Sequence, residues 1–418
     1  MTKLKENSEG VYFLSLSLEN VRCFATQQTL NLSDSNGRPA QWTVILGDNG
    51  TGKTTLLEIL GKNQLLNFGS EAHALPRQGS DSSKVEFTYA INSNLRNINK
   101  GFETRSLAVK LMTNGPYDGY DPKINLYAYS ATRALGKYKL PSFNEEMSYG
   151  LGFKQSQDEL INAEEWLLDT DYIASKESDI QATYQKRLFV IKDVLINLLP
   201  DVEDVRITDP SQKSPNPKVE FKTPDGWLML FELSLGYQTM TAWMVDLAAR
   251  LFNRYPDSPE PIAEPAVVLI DEIDLHLHPK WQRTIMSYLS ERFVNTQFIV
   301  TAHSPLIVQA AENANIVVLK RESDGVVIHQ ETQDVQGWRI DQLLTSDLFD
   351  LKSARSPHYE SLLKQRRQIL SKAELSVEDQ AQLKVLEAQL GDLPTAETAD
   401  DIQAMDIIRR AAQLLKQA

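Results

Sequence analysis

One loop constrains this chain more than anything else in it. Gly47-Asp48-Asn49-Gly50-Thr51-Gly52-Lys53-Thr54 reads G-x-x-x-x-G-K-[ST]. The apolar run Trp42-Thr43-Val44-Ile45-Leu46 ahead of it reads as a buried strand, and Thr55-Leu56-Leu57-Glu58-Ile59-Leu60 behind it as a helix. Strand, glycine-rich loop and helix in that order are the setting a phosphate-binding P-loop requires. The glycines let successive backbone N–H groups converge on one anion, and the helix adds its positive N-terminus. A chance glycine-rich turn would not carry both flanks. The ligand expected is a nucleoside triphosphate with Mg²⁺, held by Asn49, Gly50, Thr51, Gly52, Lys53, Thr54 and Thr55. Lys53 is placed on the β- and γ-phosphates and the Thr54 hydroxyl on the metal.

A second half of the site lies far downstream. Val267-Val268-Leu269-Ile270-Asp271-Glu272 is an apolar run ending in two carboxylates. Adjacent acids at the end of a buried strand need a cation or a reacting group to justify them. Asp271 is assigned to Mg²⁺, largely through water, and Glu272 to the attacking water as general base. Phe298-Ile299-Val300-Thr301 is a further apolar strand, followed by Ala302-His303-Ser304. His303 thus falls where open α/β sheets bind ligands, in reach of a γ-phosphate. Ser234 and Gly236, in Leu233-Ser234-Leu235-Gly236-Tyr237-Gln238, precede an apolar-faced helix over 239–251. On their own they read first as an ordinary serine N-cap. His276 and His278 suggest a metal pair by composition, but their spacing and the following Pro279 favour a structural role.

Composition narrows the partners. The chain has 418 residues, 43 basic and 56 acidic, for a net charge of −13. That disfavours a globally basic nucleic-acid binder while leaving room for a local patch. Cys23 is the only cysteine, so no intrachain disulfide forms, and a cytoplasmic setting is expected. The start Met1-Thr2-Lys3-Leu4-Lys5-Glu6 has no apolar signal core, and no apolar run is long enough to span a bilayer.

Along the chain, alternating strands are expected over 14–18 and 29–32, and an antiparallel pair over 84–91 and 106–112. A short strand over 124–129 runs into Ser130-Ala131-Thr132-Arg133. Residues 150–200 read as a helical insertion, and 209–217 as a Pro/Ser-rich turn region. A polar helical stretch is expected over 359–390, broken at Gly391-Asp392-Leu393-Pro394, then a last amphipathic helix over 401–415, the two plausible as a helical hairpin. This gives an α/β core over 1–340 with its insertion, then a C-terminal helical region over 341–418.

In this order the motifs resemble the ABC-type ATPase heads of the SMC, RecF and OLD-like group. Glu19-Asn20-Val21-Arg22-Cys23-Phe24 is similar to the turn after that group's opening strand. Leu233 to Gln238 is similar to the ABC signature, and Asp271 to Pro279 to the Walker B and D-loop run of the RecF-like branch; His303 matches the switch histidine. The resemblance implies a P-loop ABC-type head with a mixed sheet. It also implies a homodimer or higher oligomer in which two heads sandwich two ATP molecules. Ser234 and Gly236 would complete the nucleotide site of the opposite subunit, with Asp274 near the seam. Arg22 is placed beside the base or ribose, and Arg133, where no Q-loop glutamine stands, at a phosphate or signalling contact. Leu235 replaces the glycine that transporters favour, and long coiled-coil arms and a Toprim-like acidic cluster are absent.

The compact core with a polar helical tail looks like the stand-alone Septu and retron-associated ATPases of bacterial antiphage defence, which work with a separate HNH nuclease. The function implied is an ATPase that dimerises on ATP and regulates such an effector, with nucleic acid reached through the complex and no membrane. The alternatives are a RecF-like DNA repair ATPase that binds DNA directly, a transporter subunit, and an ATP-locked scaffold with very slow turnover.

Overall fold

The apolar runs around the P-loop become the interior strands of a sheet in a computed structural model of the chain. The structure describes residues 10–61, 77, 83–92, 109–112, 124–131, 133, 160–212, 215–322, 325–331, 335, 337–351, 353–372 and 375–390. Contacts divide the chain into two compact units, Met1–Leu343 and Leu344–Ala418.

The first unit opens with β1 (Gly10–Glu19), β2 (Gln28–Asn31) and β3 (Trp42–Gly47), then helix α1 (Lys53–Gly61). β4 (Lys84–Asn92), β5 (Val109–Met112) and β6 (Leu126–Tyr129) follow, then α2 (Ala163–Ser175) and α3 (Gln181–Leu198). A small meander, β7 (Asp204–Ile207), β8 (Val219–Thr223) and β9 (Gly226–Met229), leads to the long α4 (Leu235–Arg254). After it come β10 (Ala266–Ile270), α5 (Pro279–Gln282), α6 (Ile285–Arg292), β11 (Thr296–Thr301), α7 (Pro305–Ala310), β12 (Asn315–Glu322), β13 (Gly325–Glu331) and α8 (Ile340–Leu344).

The central sheet has six strands in the order β13-β12-β3-β11-β10-β6. All neighbours are parallel except β12 and β13, which form an antiparallel hairpin. β10 and β11 are buried along their whole length. Strands covered on both faces need no polar alternation, which is why the sequence shows them as unbroken apolar runs. On one face Ile45, Val267, Leu269, Ile299, Val317 and Leu319 share a core with Leu56, Leu57, Ile59 and Leu60 of α1. That core continues into a second, antiparallel sheet, β2-β1-β4-β5, through Phe13, Leu16, Phe87 and Tyr89. The P-loop helix is thus packed between two sheets.

The order of parallel strands decides where the site is. The carboxyl ends of β3, β11, β10 and β6 lie side by side, so the P-loop, His303, Asp271 and Ser130 all emerge along one edge. In an open α/β sheet this edge is where ligands bind.

The expected strands at the N-terminus and the pair β4–β5 form, with Lys84 opposite Met112. Residues 106–108 of that pair, and 150–159 of the proposed insertion, lie outside the described residues. The helices read within 160–200 are α2 and α3. α2 is capped by Asn162, whose side chain accepts from the Glu165 N–H at 3.2 Å. The helix expected from residue 239 begins four residues earlier, at Leu235. The meander β7–β9 was not expected; the turn region over 209–217 is its first connection.

In the second unit the hairpin expected with the 401–415 helix falls outside the described residues, and the stretch read as helical over 359–390 is two helices, α9 (Pro357–Leu370) and α10 (Val377–Leu390), packed as a hairpin. Leu362, Ile369 and Leu386 make its core, with Leu375, Leu383 and Leu390 against it. Ser356 caps α9 by accepting from the Tyr359 N–H, with Pro357 in the first turn, where its missing N–H costs nothing. The helix expected over 401–415 lies outside the described residues.

One buried polar knot ties β6 to α4. Asp246, 1% exposed, accepts from Tyr129 Oη (2.9 Å), Arg250 Nε (2.6 Å) and the Ile161 N–H (3.0 Å). Asp246→Ala leaves all three without their acceptor. It is expected to lower the unfolding free energy by about 3 kcal/mol in urea titration, with a smaller loss for Asp246→Asn.

Candidate nucleotide site

The P-loop bends through three glycines with positive φ: Gly47 at 144°, Gly50 at 78° and Gly52 at 92°. Gly52 also lacks room for a side chain, since a Cβ there would lie 2.5 Å from Cys23 Sγ. Lys53, 7% exposed, turns back over the loop, donating from Nζ to the carbonyls of Gly47 (2.7 Å) and Asp48 (3.0 Å). Burial pulls its pKa below the ordinary lysine value, while Asp271, Glu272, Asp48 and Asp274 hold the charge in place. Arg321 of β12 donates to the Gly50 carbonyl at 2.7 Å and steadies the loop from outside.

The two halves of the site meet at one carboxylate. Thr54 Oγ1 donates to Asp271 Oδ2 at 2.8 Å. Thr301 Oγ1 donates to Asp271 Oδ1 at 2.6 Å and accepts from the Glu272 N–H at 2.7 Å. Asp271 is 5% exposed, so its lone pairs are satisfied almost wholly by these hydroxyls. A buried carboxylate and a threonine hydroxyl within hydrogen-bond distance are hard oxygen donors of the kind Mg²⁺ takes. Mg²⁺ usually completes its shell with phosphate and water rather than with a protein cage. The pair therefore fits the metal.

Glu272 sits at φ +51° and carries its carboxylate half-exposed at the edge. Its Oε1 is 4.0 Å from His303 Nε2, so the two residues share one corner without a hydrogen bond. The His303 N–H donates to Asp274 Oδ2 at 2.9 Å. Asp274 thereby links the turns after β10 and β11.

Arg133, expected at a phosphate or signalling contact, is engaged with backbone carbonyls. Its guanidinium, buried to 6% exposure, donates to the carbonyls of Ser130 (3.0 Å), Asp271 (2.7 Å) and Glu272 (3.0 Å). Burial lowers its pKa to about 10, with Asp271, Glu272 and Asp274 opposing the shift, so it is charged at neutral pH.

Arg22 lies beside α1, its Nη1 paired with Glu58 Oε2 at 2.7 Å and donating to Thr55 Oγ1 at 3.3 Å. Ser234 is the N-cap residue of α4, exposed, with no hydrogen bond from its side chain to the helix. Gly236 is buried; a Cβ on it would lie 2.5 Å from the His276 carbonyl oxygen and 3.4 Å from Trp281. Glycine at this position therefore has a packing reason inside the chain. His278 N-caps α5, accepting from the Lys280 N–H at 3.3 Å, and among the described residues no cluster of three or more His, Cys, Asp or Glu side chains could hold a metal.

Residues 42–309, more than half of the chain, match the family described as "AAA domain, putative AbiEii toxin, Type IV TA system". The chain belongs to this family. The matched region runs from the first residue of β3 to α7 and so contains the P-loop, the Asp271–Glu272 turn and His303. The chain is similar to Septu protein PtuA of Bacillus mycoides (26% identity over 77% of this chain and 42% of that protein). It is also similar to the Retron Ec83 probable ATPase of Escherichia coli (30% identity over 50% of this chain and 37% of that protein). It thus spans less than half the length of either. A second Septu protein PtuA, from Bacillus thuringiensis, is 25% identical over 82% of this chain and 86% of its own. Among solved structures, an SMC head bound to the C-winged helix domain of ScpA aligns with 77% of this chain and 98% of its own, at 16% identity and TM-score 0.43.

Sequence reasoning did not single out Thr301, although it bridges Asp271 and Glu272. Thr301→Val keeps the shape but leaves the Asp271 Oδ1 and the Glu272 N–H without their partner. The expected cost is about 2 kcal/mol of stability, read as a shift in thermal and denaturant unfolding.

Proposed function

We propose that this chain binds Mg²⁺·ATP at the P-loop and hydrolyses it. We further propose that it closes head to head on ATP with a second copy and so controls a separate effector in bacterial antiphage defence. The observation that carries the reading is the junction at Asp271, where the P-loop threonine and the strand-end carboxylate converge as a ready pair of metal donors. The family match and the similarity to Septu and retron proteins support the same direction.

In this reading the loop N–H groups and the N-terminus of α1 hold the phosphates. Lys53 exchanges its loop carbonyls for β- and γ-phosphate oxygens. Bound Mg²⁺ neutralises charge on those oxygens. Glu272 accepts a proton from the attacking water as its oxygen bonds to the γ-phosphorus, and the bond to the β-phosphate bridging oxygen breaks to release ADP. His303, beside Glu272, faces the same γ-phosphate. Thr55 and Arg22 border the loop on the α1 side.

Ser234 supports the dimeric form of the reading. A serine hydroxyl at the start of a 20-residue helix, exposed and unused by its own helix, is available to the phosphates of a second copy. The proposed organisation is a core over 1–340, carrying the helical insertion at about 150–200, with a helical region over 341–418. The effector fits a nuclease of HNH type, with nucleic acid engaged through the complex, in a cytoplasmic setting. Among the described residues no helix is long and apolar enough to cross a membrane.

Glu272→Gln is expected to bind ATP, to lose at least about 100-fold in turnover and to accumulate as an ATP-bound dimer in size-exclusion chromatography with light scattering. A variant that stays monomeric with ATP and keeps full turnover would sink the mechanism.

A further inference from the structure

The Glu272 carboxylate has no hydrogen-bond partner among the described residues, and His303 Nε2 lies 4.0 Å from its Oε1. The Glu272 Cα–Cβ bond, from which the carboxylate reaches out, is aimed by the backbone. That backbone is in the left-handed region, at φ +51°, which a residue with a Cβ enters at a cost and keeps only when its surroundings fix it. The Thr301 hydroxyl fixes the N–H side. On the carbonyl side, the Glu272 oxygen accepts from the Leu275 N–H (3.0 Å) and from Arg133 Nη2 (3.0 Å). Arg133 Nη1 also spans the Asp271 (2.7 Å) and Ser130 (3.0 Å) carbonyls, so one planar group pins three peptide units from β6 and β10.

We propose that Arg133 is the positioning residue for Glu272: its buried guanidinium holds the peptides of the Asp271–Glu272 turn and so aims the Glu272 carboxylate at the water it activates. The inference rests on Glu272 being the general base. A fork that bridges carbonyls at fixed spacing is a task for arginine, which lysine cannot reproduce with a single ammonium. It also explains a buried cation at the end of β6 whose hydrogen bonds all go to backbone carbonyls.

The test uses the full chain carrying Arg133→Gln and Arg133→Lys, alone and combined with Glu272→Gln. Binding of a fluorescent ATP analogue with Mg²⁺ is read beside steady-state and single-turnover hydrolysis. Positioning predicts an unchanged nucleotide Kd and a kcat lowered about 100-fold, the cost of a catalytic group displaced by about 1 Å. It also predicts that the loss disappears in the Glu272→Gln background, because Arg133 acts only through that carboxylate. A weakened Kd with kcat intact would overturn the proposal in favour of a phosphate contact. The same fold loss in both backgrounds would overturn it as well. If Arg133→Gln does not fold, the Arg133→Lys cycle decides by the same criteria. Full turnover in Glu272→Gln alone would remove the general-base reading, and the positioning role with it. A loss there, joined to an undiminished Arg133 effect, removes the positioning role alone.

Discussion

The grip of two threonine hydroxyls on the Asp271 carboxylate is the interaction on which the site depends. Thr54 comes from the start of α1, and Thr301 from the end of β11, the strand lying between the P-loop strand and the strand that ends at Asp271. A carboxylate at 5% exposure is costly unless its oxygens are satisfied. The fold meets that requirement with groups that belong to the nucleotide loop and the central strand. The result couples desolvation of the acid to the geometry of the phosphate cradle.

Around that junction the structure repeats one device: side chains grip backbone at the strand ends. Arg133 takes the carbonyls after β10, Thr301 the Glu272 N–H, Asp274 the His303 N–H, and Arg321 the Gly50 carbonyl. Loops carry the chemistry, but each is tied to a rigid strand or to a neighbouring loop. Among the described residues the Glu272 carboxylate and the Ser234 hydroxyl have no hydrogen-bond partner, which suits the substrate contacts proposed for them.

The parts of this plan that live in short windows were legible in the sequence. The P-loop has a fixed spacing, and β10 and β11 show as apolar runs because both faces are covered. The start of α4 was harder. Leu235 is 54% exposed and Gly236 is a poor helix former, so periodicity pointed to residue 239, while the helix begins where Ser234 caps it. The strands β7 to β9 are four or five residues long and partly exposed, too short for alternation to stand out. Thr301 and Arg133 were opaque for another reason. Their partners are reached only through the fold, and a backbone carbonyl that accepts a hydrogen bond leaves no mark in the residue types.

The separation between Thr54 and Asp271 is 217 residues, and Thr301 lies a further 30 beyond. A ribosome that has made the P-loop and its helix has not yet made the carboxylate that Thr54 meets. The strand that separates β3 from β10 in the sheet is synthesised after both, so the central sheet cannot close until residue 301 has left the exit tunnel. Long-range parallel pairing of this kind is slow and forms late. A nascent chain therefore displays the P-loop before the carboxylate that it meets in the folded sheet has been made.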